Sequence, residues 1–287
     1  MLAIEINKLY MRFKGEIQKV QINYLVVLLL LTERAIGQFI GAGITGGVSH
    51  FIGDVGNYGI HMPQGYNFGL AAIYALNPHY SIEAGGYYGV VANDDALSSI
   101  DWRRNRNLSF RSFVYETHGR VNFNFFPVTG RRGENNSPFI FLGYGLFAFY
   151  PETWYQNRWV KLRPLGTEGQ GTRLSDKGIY PETSSFILFG LGYSITISQI
   201  VNVYFETGFR RTDTDYLDDV SGYYVDAVEL AEIRGPVAAA LSNRSIVRFD
   251  TTDRLRGNPT NKDWYVFTNF KIIFKLSSSR EKCRTGW

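Results

Sequence analysis

Apolar and polar side chains alternate with a period of two along most of this chain, the pattern of strands that turn one face to an apolar surrounding and the other away from it. In VNVYFETGFRR, Val201, Val203, Phe205, Thr207 and Phe209 oppose Asn202, Tyr204, Glu206, Gly208 and Arg210. In RSFVYETHGRVNFNF, Phe113, Tyr115, Thr117, Val121, Phe123 and Phe125 oppose Ser112, Glu116, His118, Arg120, Asn122 and Asn124. In DWYVFTNFKIIFKL, Trp264, Val266, Phe270, Ile272 and Phe274 oppose Asn269, Lys271 and Lys275. Weaker runs at Gln38–Ile52, Gly65–Asn77, Tyr80–Val91, Pro138–Tyr150 and Ser184–Ser198 bring the expected strands to eight.

Most of these runs exceed the roughly 9–11 residues that a tilted strand needs to cross a bilayer. Strands of soluble sandwiches are nearer to about 5 or 6 residues. The connections alternate as well: NPH joins strands two and three, a few residues around Gln199 and Ile200 join six and seven, and the other links are longer. Short turns on one side and long loops on the other are the asymmetry of an outer-membrane barrel. The link PVTGRRGENNS, Pro127 to Ser137, is long for a periplasmic turn. The expected fold class is therefore all-β, an eight-stranded antiparallel transmembrane β-barrel, in preference to a secreted sandwich or a lipocalin-like barrel. In the last outside loop, VDAVELAEIRGPVAAAL carries helix formers broken at Gly235 and Pro236, which predicts a short helix at the barrel mouth.

The N-terminus differs in character. Lys14 and Lys19 precede the apolar run YLVVLLLL, Tyr24 to Leu31, and the small residues Ala35 and Gly37 follow it. This reads as a secretory signal over residues 1–37, with the barrel over 38–276 and a tail over 277–287. The run is too short to span a bilayer as a helix, which takes roughly 20 residues. Without residues 1–37 the formal charge falls from +4 to +2, so the basic pI gives no support to nucleic-acid binding. The single cysteine, Cys283, excludes an internal disulfide, and none follows the apolar run to accept a lipid. The chain holds 21 Phe, 19 Tyr and 30 Gly, a composition suited to amphipathic strands.

An eight-stranded barrel has room inside for its own side chains and little else, so inward charges must pair. Glu83, Glu116, Arg120, Glu206 and Arg210 fall on the expected inner face and read as a luminal ionic network, with His118 as a member, rather than as a pore lining. A lipid-modifying enzyme centred on His118 is the competing reading; the nearest same-face hydroxyl, Ser112, lies six residues away, beyond the reach that nucleophile and base require. His50, His61 and His79 lack metal-ligand spacing, and no HExxH, P-loop or GxGxxG arrangement occurs, so no catalytic, metal or cofactor site is assigned.

RRTDTDYLDDVSGYY, Arg210 to Tyr224, places Asp213, Asp215, Asp218 and Asp219 at the start of the longest outside loop. An EF-hand loop counted from Asp213 would need Gly at its sixth position and Glu at its twelfth, where Asp218 and Tyr224 stand. The expected role is local: carboxylates accepting backbone N–H groups or pairing with Arg210 and Arg211. A noncanonical cation site is the alternative.

Two phrases carry a resemblance. GGVSHFIGDVGN closes strand one, and GFRRTDTDYLDDVSGYY closes strand seven. Together they resemble the PorG-type outer-membrane barrel family of Bacteroidetes, whose members carry a Y-x-G-D-L phrase early and T-D-Y-L-D-D-V-S-G-x-Y late. Gly53 and Asp54 match the first, with Phe51 and Val55 in place of Tyr and Leu. Thr214, Asp215, Tyr216, Leu217, Asp218, Asp219, Val220, Ser221, Gly222 and Tyr224 match the second. The tail SSSREKCRTGW departs from barrels that stop on an aromatic residue.

The resemblance implies an integral outer-membrane component of the type IX secretion system, associated with the periplasmic ring formed by a lipoprotein and its partner, and serving gliding adhesins in gliding species. On that reading the protein is no enzyme and needs no cofactor; aromatic residues hold it in outer-membrane lipid, and Arg131 and Arg132 are the candidate partner contacts. The alternative is a surface barrel that binds an external ligand or stabilises the envelope, with Trp154, Tyr155, Arg158, Trp159, Lys161 and Arg163 as its contact residues.

Overall fold

The computed structural model describes residues 39–57, 59, 62–128, 136–251 and 253–278. Eight long strands form the wall: β1 (Phe39–Ile52), β2 (Gly65–Ala75), β3 (Tyr80–Asp94), β4 (Ser109–Asn124), β5 (Ser137–Tyr155), β7 (Thr183–Thr196), β8 (Val201–Thr212) and β9 (Trp264–Ser278). A short strand, β6 (Arg158–Lys161), pairs with the outer end of β5. Every pairing is antiparallel, and the order β4-β3-β2-β1-β9-β8-β7-β5 closes through β4–β5, giving a closed eight-stranded barrel. Closure leaves no wall strand with an unpaired edge, the condition a sheet must meet in hydrocarbon.

The expected alternation sorts the wall into two faces. Ile44, Leu70, Ile82, Val121, Leu142, Leu191, Phe205 and Phe270, one from each wall strand, point outward and stand exposed. Glu83, Arg120, Glu206 and Lys271 from the opposite face are buried. A continuous apolar exterior around a charged interior is the arrangement of a transmembrane barrel and the inverse of a soluble one. Tyr88, which contacts Phe68 at 5.0 Å and Tyr115 at 5.0 Å, and Tyr150, edge-on to Tyr115, form an aromatic girdle near the long-loop end.

The lumen is layered. Phe39, Phe139 and Tyr204 close the short-turn end, ion pairs occupy the middle, and Phe147, Phe149, Phe186 and Leu188 fill the space below the mouth. Short connections are tight: Leu76 and Asn77 both donate to the Tyr80 carbonyl, and Ile197 and Ser198 to that of Val201. Small helices lie on the long-loop side: α1 (Asp101–Arg106), then α2 (Ala227–Arg234) and α3 (Pro236–Ser242), which meet at Gly235. The expected helix at the mouth is thus a broken pair, started by Asp226, whose carboxylate accepts from Val228 and Glu229.

Several expected boundaries move: β2 stops at Ala75 rather than Asn77, β3 runs on to Asp94 rather than Val91, and β7 spans Thr183–Thr196 rather than Ser184–Ser198. β5 runs on to Tyr155 rather than ending at Tyr150, because β6 gives its outer end a partner after β7 begins at Thr183. β9 continues to Ser278, beyond Leu276, where the barrel was expected to end. The expected signal segment, the link residues Arg131 and Arg132, His61, and the tail from residue 279 onward lie outside the described residues.

Candidate functional site

Two assemblies hold the residues singled out by the sequence, one in the lumen and one at the rim. In the lumen, Arg120 donates to Glu83 at 2.7 Å and to Glu206 at 2.5 and 3.2 Å. Lys271, a fully buried residue of β9, donates to the same two carboxylates at 2.6 and 3.1 Å. One step nearer the mouth, Arg210 clasps Glu116 at 2.8 and 3.2 Å, and the Tyr265 hydroxyl donates to it at 2.6 Å.

His118 joins the layers. Its Nδ1 lies 3.3 Å from Glu116, its Nε2 lies 4.0 Å from Glu83, and Tyr87 meets the ring edge-on at 4.9 Å. Its side chain is wholly enclosed. Three carboxylates and three fixed cations therefore balance within one layer stack, and pairing is what makes such charges tolerable in a dry interior. Lys271 and Tyr265 belong to this network although nothing marked them beyond their inward register.

The rim is built around the aspartate-rich phrase. Asp218 accepts from its own loop at Val220 N, 2.9 Å, and from Val55 N in the first loop, 3.1 Å. Asp219, in the left-handed region at φ 63°, accepts from Thr167 and Tyr180, both at 2.6 Å. Tyr180 in turn stacks on Tyr216 at 4.5 Å. Asp54 accepts from Asn258 N, and Asp263 from Leu217 N. Gly53 is required by close approach, since a Cβ there would lie 2.3 Å from both Asp263 Oδ1 and the Phe51 ring. Ser221 and Gly222 donate their backbone N–H groups to Glu168, each at 2.9 Å.

Two buried arginines tie the loops together. Arg106 holds Asp95 through two bonds and donates to the carbonyls of Asp54 and Arg256 at 2.6 Å. Arg256 donates to Glu168 and to the carbonyls of Asp219 and Ser242. All four long loops meet here, so the phrase forms the core of a cap over the mouth. Pairing of the loop carboxylates with Arg210 and Arg211 does not occur: Arg210 turns inward to Glu116, and Arg211, one residue on, turns outward by the strand's alternation.

Burial governs the electrostatics of the cap. Desolvation, reinforced by neighbouring carboxylates, raises Asp54, Asp218 and Asp263 above the ordinary aspartate range. The same cause pushes Asp215 up to about 7 and Asp219 up to about 6, the latter held down in part by Arg256. Despite the crowding, no group of three or more His, Cys, Asp or Glu among the described residues could hold a metal ion.

Comparison with known proteins gives the chain a family and assigns it no activity. Among solved structures, the chain is similar to the attachment invasion locus protein Ail of Yersinia pestis in complex with the heparin analogue sucrose octasulfate: 9% identity and TM-score 0.37 over 83% of this chain and 99% of that one. Neisserial surface protein A shows 8% identity and TM-score 0.37 over 82% and 96%. The N-terminal β-barrel domain of Pseudomonas aeruginosa OprF shows 7% and 0.34 over 84% and 99%. No curated protein matches. The model of one family, described as a domain of unknown function, DUF6089, matches residues 19–223, and the chain belongs to that family.

Proposed function

We propose that the chain is a non-enzymatic structural barrel of the outer membrane that positions the type IX secretion apparatus there, in association with the periplasmic ring lipoprotein and its partner. The observation that carries this reading is the filled interior. The lumen is occupied by paired charges and stacked aromatics, and the rim phrase spends its carboxylates on loop-to-loop bonds. Such a barrel acts through what its outside touches. The resemblance of Gly53–Asp54 and of Thr214–Tyr224 to the PorG-type phrases supports the choice of secretion as that role. A closed barrel with an apolar exterior supports the outer membrane as its location.

The test is secretion itself. Deleting the gene in its native host should trap proteins bearing the C-terminal sorting domain inside the cell, and the wild-type copy should restore their export. A copy carrying Arg131→Glu and Arg132→Glu should insert normally yet restore export poorly. Full export from the deletion strain would contradict the proposal.

One observation favours the second reading, a surface barrel that binds an external ligand. Trp154 and Trp159 pair at 5.3 Å on the β5–β6 hairpin, and both remain more than two-fifths exposed. Arg111 lies over Trp159 at 3.3 Å and is held by Glu152. An exposed tryptophan pair with a stacked guanidinium is a surface suited to sugars or anionic groups.

A further inference from the structure

In the loops beyond the ends of the wall strands, α1 and two segments of the fourth long loop line a recess of about 410 Å³. That size suits a small ligand. Trp102, Phe249 and Leu255 supply most of its apolar lining, and the buried Tyr224 meets Phe249 edge-on at 5.7 Å. Trp102 and Leu255 are each 53% exposed. Bonds between the segments fix the walls: Asn105 engages the Val247 backbone through both ends of its side chain, at 2.8 and 3.2 Å, and Tyr224 N donates to the Arg254 carbonyl at 3.0 Å.

The charge of the recess has one sign. Among the described residues no carboxylate lines it, while the guanidinium carbons of Arg106 and Arg103 lie 5.1 and 5.3 Å from the Trp102 ring. Arg106 is committed to Asp95 and to two backbone carbonyls, and Asn105 to Val247. Arg254 differs from both. Its guanidinium lies over Phe249 at 5.2 Å, stands exposed, and makes no ion pair or side-chain hydrogen bond among the described residues.

This inventory selects among ligands. A saccharide would bring several hydroxyls to a recess with one uncommitted polar side chain, and most of them would lose water without gaining a partner. An organic cation would meet arginines and no carboxylate. A flat apolar ring that carries one acidic group fits both halves of the lining: the ring against Trp102 and Phe249, the acid at Arg254. We propose that this recess binds an aromatic carboxylate. The site needs only the cap, so it stands apart from any secretion role and from the exposed Trp154–Trp159 pair.

Isothermal titration calorimetry of the full chain in detergent, read against matched detergent blanks, tests this with three compounds that share one ring system: indole-3-acetate, 3-methylindole and tryptamine. The expected result is saturable binding of indole-3-acetate, about tenfold tighter than that of the other two, the scale of one charge-assisted hydrogen bond. 3-Methylindole keeps the ring and lacks the acid; tryptamine replaces the acid with a cation. Arg254→Gln should remove the preference, Trp102→Ala should weaken indole-3-acetate several-fold, and Trp154→Ala should leave its affinity unchanged. Heat-modifiable gel mobility confirms that each variant is folded. No saturable binding by the wild type, equal affinity for the three compounds, a preference that survives Arg254→Gln, an affinity that survives Trp102→Ala, or a loss in Trp154→Ala would each overturn the proposal.

Discussion

Lys271 donates to Glu83 at 2.6 Å across the lumen, from 188 residues further along the chain. β9 and β3 are not neighbours in the wall, so this bond spans the interior rather than a strand pair. It also shares Glu83 and Glu206 with Arg120, which makes the middle layer a four-membered charge unit. Its energy is best measured by breaking it.

Replacing Lys271 with Met removes one cation and leaves two buried carboxylates with only Arg120. Removing one partner of a buried ion pair costs about 3–5 kcal/mol. The urea midpoint of the barrel in detergent should fall accordingly, and a double variant that also carries Glu206→Gln should recover part of the loss. An unchanged midpoint in the single variant would contradict the network.

At the rim, Asp218→Ala leaves the N–H groups of Val55 and Val220 without their acceptor. Each unsatisfied buried donor costs about 1–3 kcal/mol, and the loss falls on the cap rather than on the wall. Limited proteolysis should cut the 213–263 loop faster, while heat-modifiable mobility stays that of a folded barrel. Equal cleavage of variant and wild type would show that the phrase does not hold the cap.

The cap should also respond to pH. Burial disfavours the charged form and pushes Asp215 up to about 7 and Asp219 up to about 6 in the folded cap, above the ordinary aspartate value of about 4. A raised folded-state value means that the closed cap binds more protons than the opened one. This contribution is full below about pH 4 and is lost as pH rises through about 6 to 7. Amide hydrogen exchange in the loops, corrected for its intrinsic pH dependence, should show weaker protection at about pH 8 than at about pH 5.5. Protection that rises with pH would reverse the sign and refute the assignment.

A filled lumen predicts no steady ion current. The purified barrel in planar bilayers should stay silent, as expected for an eight-stranded wall packed with its own side chains. Reproducible open levels would contradict the packing of Phe147, Phe186 and Leu188 beneath the mouth.

Much of the wall was legible in the sequence, for a physical reason. A strand between lipid and a packed lumen must alternate for its full length, so VNVYFETGFRR declared both its span and its inward charges. Val201–Thr212 is the strand found, with Glu206 and Arg210 inside. The β5–β6 hairpin escaped because above the bilayer nothing enforces a lipid face; Pro151 and Glu152 are buried where alternation alone would leave one of them exposed. Lys271 had the right register but no local mark to distinguish it from Lys275. The cap was the least legible part. Arg106 and Arg256 lie 150 residues apart, and the bond between them has no signature in either segment. The aspartate-rich phrase could be read as a source of backbone acceptors, whereas its partners in the first and third loops could not.

The central claim, a structural barrel that serves secretion by association, is tested most directly by affinity purification of a tagged copy from crosslinked outer membranes, with mass spectrometry of what accompanies it. The account predicts recovery of the periplasmic ring lipoprotein and its partner alongside the barrel. Their absence from a preparation in which the barrel is intact and membrane-inserted would contradict it.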